Sequence, residues 1–211
     1  MGYVEKGAEY DNSDQLRVLR ELGVKLVPVE PPTLDYGLSK NEISVGLVAC
    51  ESAAAFEHLT RRGEPKGVKG WPRFFLLGHF LTAADYLRLN RLRASIMQRF
   101  DELMQTVDVY LCDESPLGDH PDDRWEWYGN LTGHPMAVLP RKFEEENGLL
   151  SPKAQRMIGR IYDESTLLAL AHACQRAFGL TARPPLDQFL PQKDEILAGE
   201  ELPDEDKYYT D

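Results

Sequence analysis

Two apolar periods alternate along the first thirty residues. Tyr3-Val4 is a short apolar pair that predicts a strand at the start of the chain. Leu16, Leu19 and Leu22 then recur at helical spacing behind Ser13, a residue type that caps helices, and Gly23 follows as a stop. Val24-Lys25-Leu26-Val27-Pro28-Val29 switches to a period of two and predicts a second strand. Strand, helix, strand at this length is a βαβ unit with parallel strands.

Pro31-Pro32 breaks the pattern. From Glu42 to Thr60 an alanine-rich helix is predicted, with Ile43, Leu47, Cys50, Ala54 and Phe56 turned inward. Arg61 to Gly70 is a basic, glycine-containing loop. Trp71 to Leu81 is apolar apart from Arg73 and the small Gly78. Thr82-Ala83-Ala84-Asp85 reads as a capping box, opening a long helix to about Thr106 whose inward stripe is Leu89, Leu92, Ile96, Phe100 and Leu103. Val107 to Cys112 is a strand candidate, and Glu114 to Glu126 a polar loop.

Tyr128 to Pro140 packs two glycines, two prolines and an Asn around a short apolar run. Gly133 tolerates backbone angles other residues avoid, and Pro135 pushes His134 towards an extended conformation. The expectation is a loop feeding a short, central, buried strand, Met136–Leu139, which Pro140 stops. Lys142 to Pro152 reads as a polar excursion and Ala154 to Tyr162 as a further strand. Asp163-Glu164-Ser165 starts a helix with Leu167, Ala171, Cys174 and Phe178 on one face and Gly179 at its end. The chain from Pro184 onward is acidic and is expected to form a docked or loose tail.

Composition narrows the function classes. The 211 residues suffice for one domain with a sizeable core. The net charge of -11 argues against a general nucleic-acid or membrane-surface binder. Much of it is local, because residues 191–211 carry eight acids against two lysines. Three separated cysteines, Cys50, Cys112 and Cys174, suit buried thiols in a reducing compartment. Met1 leads into a polar, strand-like start without a signal-peptide pattern, and no apolar run is long enough to span a membrane, so the expected location is cytoplasmic.

Motifs that would carry chemistry are sparse. Gly-x-Gly-x-x-Gly and the Walker pattern are absent, and no cofactor is implied. His58, His79, His120, His134 and His172 have no ligand spacing, so no metal site is expected. A nucleophilic serine needs an activating base and a donor-rich turn, and no glycine-flanked serine is present. Asn130-Leu131-Thr132 matches a glycosylation sequon, which in a cytoplasmic protein is a chance match. Arg88 and Arg91 read as a solvated helix face, and Asp85-Tyr86 as a cap and a core aromatic.

The order of several segments resembles one family. These are Leu22-Gly23-Val24-Lys25-Leu26-Val27 with Pro31-Pro32, then Glu51-Ser52-Ala53-Ala54, then Gly78 with Ala83-Ala84-Asp85-Tyr86. Val107-Asp108-Val109 follows, then Asn130-Leu131-Thr132-Gly133-His134-Pro135 with Val138-Leu139-Pro140. Gly148-Leu149, Gln155, Ile158-Gly159-Arg160 and Asp163-Glu164 with Leu167-Leu168 close the series. From residue 2 to about residue 178 the chain resembles the C-terminal half of the amidase signature family, which includes amide hydrolases and the amidase component of tRNA-dependent amidotransferases.

The resemblance implies an α/β fold, a mixed, mostly buried sheet flanked by helices, over residues 1–182, followed by the acidic tail 183–211. It implies carboxamide hydrolysis through a serine acyl-enzyme. The family's two serines and its lysine lie in the half not matched here, so no catalytic residue carries over. Arg73, Tyr86 and Asn130 are the substrate-binding candidates. A charge inside the apolar run around Arg73 needs a partner, and a structural salt bridge would serve as well as a substrate. The implied partners are a small amide substrate and either an N-terminal amidase half or a second copy joined through an exposed sheet edge. Direct nucleic-acid contact and membrane binding are not expected. Departures from the family pattern are Arg141-Lys142-Phe143 in place of a glycine-led turn, Leu149-Leu150 in place of Leu-Pro, and Arg73-Phe74 in place of an arginine pair, which weakens the case for glutamine as substrate. Two other readings stay open: a catalytically inactive binding or assembly module, and a component of a glutamyl/aspartyl-tRNA amidotransferase.

Overall fold

The computed structural model describes residues 1–4, 13–32, 38, 40–61, 72–112, 126–146 and 149–180. Residues 62–70 of the basic loop, 114–125 of the polar loop and the acidic tail lie outside the described residues. The elements are β1 (Gly2–Tyr3), α1 (Asp14–Glu21), β2 (Val27–Pro28), α2 (Lys40–Ala55), α3 (Glu57–Thr60), α4 (Pro72–Leu77), a 3-10 turn (Gly78–Phe80), α5 (Ala83–Met104), β3 (Val109–Cys112), α6 (Glu126–Thr132), β4 (Met136–Glu146), β5 (Leu149–Gly159) and α7 (Glu164–Phe178).

The strands form one mixed sheet in the order β2-β1-β3-β5-β4. β1 runs parallel to both β2 and β3, as the βαβ pattern requires. β5 is antiparallel to β3 and to β4. The sheet is covered on both faces, and the two-residue period of β3 divides its side chains between them. Tyr110 and Cys112 join Ile43, Leu47, Leu92, Ile96 and Phe100 from α2 and α5 on one side. Val109 and Leu111 join Leu16 and Leu19 of α1 and Leu167 and Cys174 of α7 on the other.

The helix signals act as read. Ser13 Oγ accepts from the Leu16 backbone N–H at 3.4 Å, and Gly23 follows the helix at φ +78°. At Thr82 both halves of the capping box are made. Thr82 Oγ1 accepts from the Asp85 N–H at 3.1 Å, and Asp85 Oδ2 accepts from the Thr82 N–H at 3.1 Å. Asp163 caps α7, and Gly179 ends it at φ +62°.

Four expectations change. The alanine-rich helix breaks at Phe56, so Phe56 is 41 % exposed and Ala54 is exposed, while Ala49 and Ala53 are the buried alanines. Within Val24–Val29, Val27–Pro28 alone forms the β2 ladder. The excursion from Lys142 to Pro152 is instead the two arms of a hairpin, pairing Lys142 with Lys153, Phe143 with Pro152 and Glu144 with Ser151. Finally, Met136–Leu139 is neither stopped by Pro140 nor central in this sheet, because β4 continues to Glu146 and is its edge strand. Proline lacks a ladder donor and is tolerated at edges and bulges, and the pairing register shifts between Pro140 and Lys142.

Candidate functional site

Among the described residues a concavity lies between the helices. A cleft of about 580 Å³ opens between the second half of α2, the 3-10 turn and the first turn of α5. Its lining includes Cys50, Glu51, Ala53 and Ala54 from α2, Gly78, His79, Leu81 and Thr82 from the turn, and Tyr86 from α5.

Gly78 sets the depth of this cleft. A Cβ placed there would lie 2.1 Å from the Ala49 carbonyl oxygen and 2.6 Å from the Ala53 Cβ. Only glycine against small residues lets the two segments come this close. The capping box then fixes where α5 begins, and hence where Tyr86 sits. Tyr86 is half-buried, packs against the core formed with α2 and α5, and lines the cleft. Its carbonyl accepts from Asn90 Nδ2 at 3.0 Å within the helix.

Charge in the cleft is unevenly satisfied. Glu57 is held by Arg61, with Nε at 2.9 Å and Nη2 at 2.6 Å from one carboxylate oxygen. The Thr82 hydroxyl and N–H, with Arg88 nearby, hold the Asp85 carboxyl below its usual range. Burial, then the charges of Glu51 and Asp85, push the Cys50 thiol up, so it is a poor nucleophile at neutral pH. No group of His, Cys, Asp and Glu among the described residues is placed to hold a metal ion.

The other sequence candidates fall elsewhere. Asn130 is exposed on α6 and does not line the cleft. Arg73 has its backbone in α4, and its side chain lies outside the described residues. Arg93 joins the two regions, its Nε donating to the Leu131 carbonyl at 2.7 Å. Arg88 and Arg91 are exposed, as a solvated face requires. Nothing in the spacing of Glu51, His79 and Thr82 marks them as cleft residues. The small residues Ala49, Ala53 and Gly78 are the available signal, since small faces permit helices to approach closely.

Next to α6 a polar chain is buried in the core. The Thr132 hydroxyl donates to the Tyr128 carbonyl at 2.5 Å. That uses its one hydrogen, so His134 Nδ1, 2.8 Å from Thr132 Oγ1, must be the donor of its pair. The bonding places a hydrogen on Nδ1 and leaves Nε2 buried with no partner among the described residues. Phe100 packs stacked on Tyr128 at 4.8 Å and edge-on to His134 at 4.9 Å. Burial lowers the His134 pKa, Asp101 opposing, and raises that of Tyr128. The Tyr128 hydroxyl donates to the Pro32 carbonyl at 2.5 Å and so ties α6 to the segment after β2. This cluster positions α6 against the core.

Comparison with known proteins bears on what the cleft is part of. The chain is 30 % identical over 207 residues to the A subunit of glutamyl-tRNA(Gln) amidotransferase from Prochlorococcus marinus (strain MIT 9313), covering 82 % of this chain and 42 % of that protein. It is also 30 % identical over 187 residues to an amidase of Pseudomonas putida, covering 79 % of this chain and 38 % of the relative. The chain is a partial homologue of the amidase signature family. It spans about two-fifths of the length of the curated relatives it matches. A solved amidase superimposes with a TM-score of 0.65 at 20 % identity, covering 83 % of this chain and 45 % of that one. Kluyveromyces lactis allophanate hydrolase does so with a TM-score of 0.59 at 18 % identity, covering 87 % and 32 %. At these identities the superpositions establish the α/β fold of an amidase-family region. No protein-family model matches the chain. No described helix is long and apolar enough to cross a membrane.

Proposed function

We propose that this chain is the C-terminal portion of an amidase-type unit and forms one wall of its substrate cleft. The observation that carries the reading is the cleft around Tyr86, built inside a region homologous to amidases over about two-fifths of their length. In the complete unit a serine from the complementary portion attacks the carboxamide carbon. The amide nitrogen takes up the serine's proton and leaves as ammonia, and water then hydrolyses the acyl-serine ester, releasing the acid and restoring the serine. This chain contributes shape and polarity, and no nucleophile. The apolar side chains beside the cleft support a covered face there: Phe80 is 83 % exposed and Leu87 58 %, with Leu76 and Leu77 also exposed. Large exposed apolar side chains of this kind suit an interaction surface. Both sheet edges are by contrast blunted, β2 by Pro28 and β4 by Pro140, the bulge beside it and the charges of Lys142, Glu144 and Glu145. A helical face is therefore a better docking surface than an edge-to-edge pairing of two copies.

A second reading is favoured by the relatives that are A subunits of glutamyl-tRNA(Gln) amidotransferase, in which the cleft would serve glutamine as amide donor. The test of the first reading mixes this chain with a separately made N-terminal half of an amidase-family enzyme and follows association and ammonia release. Association with amide hydrolysis supports the proposal. A stable monomer that associates with nothing and melts cooperatively supports an autonomous, inactive module instead.

A further inference from the structure

We infer that Glu51 is a specificity-determining residue that makes the cleft favour carboxamides bearing an ammonium group over those bearing a carboxylate. The inference rests on the reading of the cleft as a carboxamide site. The cleft volume of about 580 Å³ falls in the range of small-molecule sites, roughly 300–1,000 Å³. Its walls are apolar at Ala53, Ala54, Leu81 and Ala83, with Tyr86 as the aromatic surface. A short aliphatic chain carrying polar ends suits such a lining.

The charged groups decide which polar end is accepted. Glu57 is neutralised by Arg61, and Asp85 is engaged by Thr82 with Arg88 beside it. Glu51 lines the cleft with no ion-pair or hydrogen-bond partner among the described residues. A carboxylate in the cleft wall with no partner among the described residues attracts an ammonium and repels a carboxylate, so the two effects add in the ratio of affinities.

The test is a titration of the full, isotope-labelled chain with three amides of one length, 5-aminopentanamide, pentanamide and glutaramic acid, read from backbone NMR shifts at residues 50–54 and 78–86. The ammonium amide is expected to bind about tenfold tighter than the carboxylate amide, with the neutral amide between them, and added salt to shrink the ratio. Glu51→Gln, at an exposed position, should leave the melting temperature unchanged and bring the three affinities within about twofold of one another. Equal binding of the three amides to the native chain overturns the specificity while leaving the amide cleft intact. A preference that survives in E51Q overturns the role of Glu51. Failure of all three to shift those residues overturns the amide cleft itself, and with it this inference.

Discussion

Alanine at Gly78 gives the sharpest physical test of how the cleft is built. The added Cβ would meet the Ala49 carbonyl oxygen at 2.1 Å and the Ala53 Cβ at 2.6 Å, where ordinary contact begins at 3.4 Å. The Ala49 oxygen belongs to helix backbone and has no rotamer by which to retreat. The 3-10 turn must therefore move away from α2 by more than an ångström, carrying Leu81, Thr82 and the start of α5 with it. Overpacking against flexible side chains costs about 1–3 kcal/mol, and a rigid backbone neighbour places this site at or above the top of that range. For a chain of this size about 3 kcal/mol corresponds to a fall in melting temperature of roughly 6–12 °C. Gly23→Ala serves as a contrast. Gly23 sits at φ +78° with nothing within 4 Å of its Cβ position, so its cost is backbone strain alone, about 1 kcal/mol. Thermal and urea unfolding of both variants measure the difference. A G78A protein that melts within about 1 °C of the native chain would refute the close approach on which the cleft depends.

Three further outcomes follow from the same contacts. Burial lowers the His134 pKa below its ordinary 6.5, so the unfolded chain takes up the proton first. The neutral ring's contribution is present above about pH 6.5 and is lost as pH falls through the lower folded pKa, and His134→Asn should flatten that slope in melts from pH 5 to 7.5. Arg160 Nε donates to the Met104 carbonyl at 2.9 Å and the Val107 carbonyl at 3.2 Å, and its Nη2 lies 3.1 Å from Asp108 Oδ1. Arg160→Ala should cost about 2 kcal/mol in urea unfolding, with lysine restoring little of it. Thr82→Ala removes one half of the capping box and should cost about 1 kcal/mol, seen as weaker amide-exchange protection over the first turn of α5.

Local signals made most of the frame legible. Ser13, Thr82 with Asp85, Asp163, Gly23 and Gly179 mark helix ends because each satisfies or releases a specific backbone group. The stripe Leu89, Leu92, Ile96 and Phe100 located the core face of α5 for the same local reason. What failed depended on contacts distant in sequence. The hairpin arm through Lys142, Glu144 and Lys153 looked like a polar loop because Glu144 answers Lys142 along its own strand and Lys153 across the hairpin. Pro140 looked like a stop because a bulge that accommodates it cannot be read from one strand. The cleft was hidden for a related reason. Tyr86 was visible as an aromatic after a cap, but the space it faces exists because Gly78 meets Ala49 and Ala53, some twenty-five to thirty residues earlier.

Ammonia release on recombination tests the central claim most directly. A carboxamide substrate is offered to this chain alone, to a separately made N-terminal amidase half alone, and to the two mixed. The account predicts ammonia from the mixture and from neither part, with the rate following the amount of this chain until the partner is saturated. Hydrolysis by this chain alone would contradict it, because a nucleophile would then reside in the chain. A mixture that neither associates nor releases ammonia would contradict it equally, and would leave an amidase-like fold without a share in amidase chemistry.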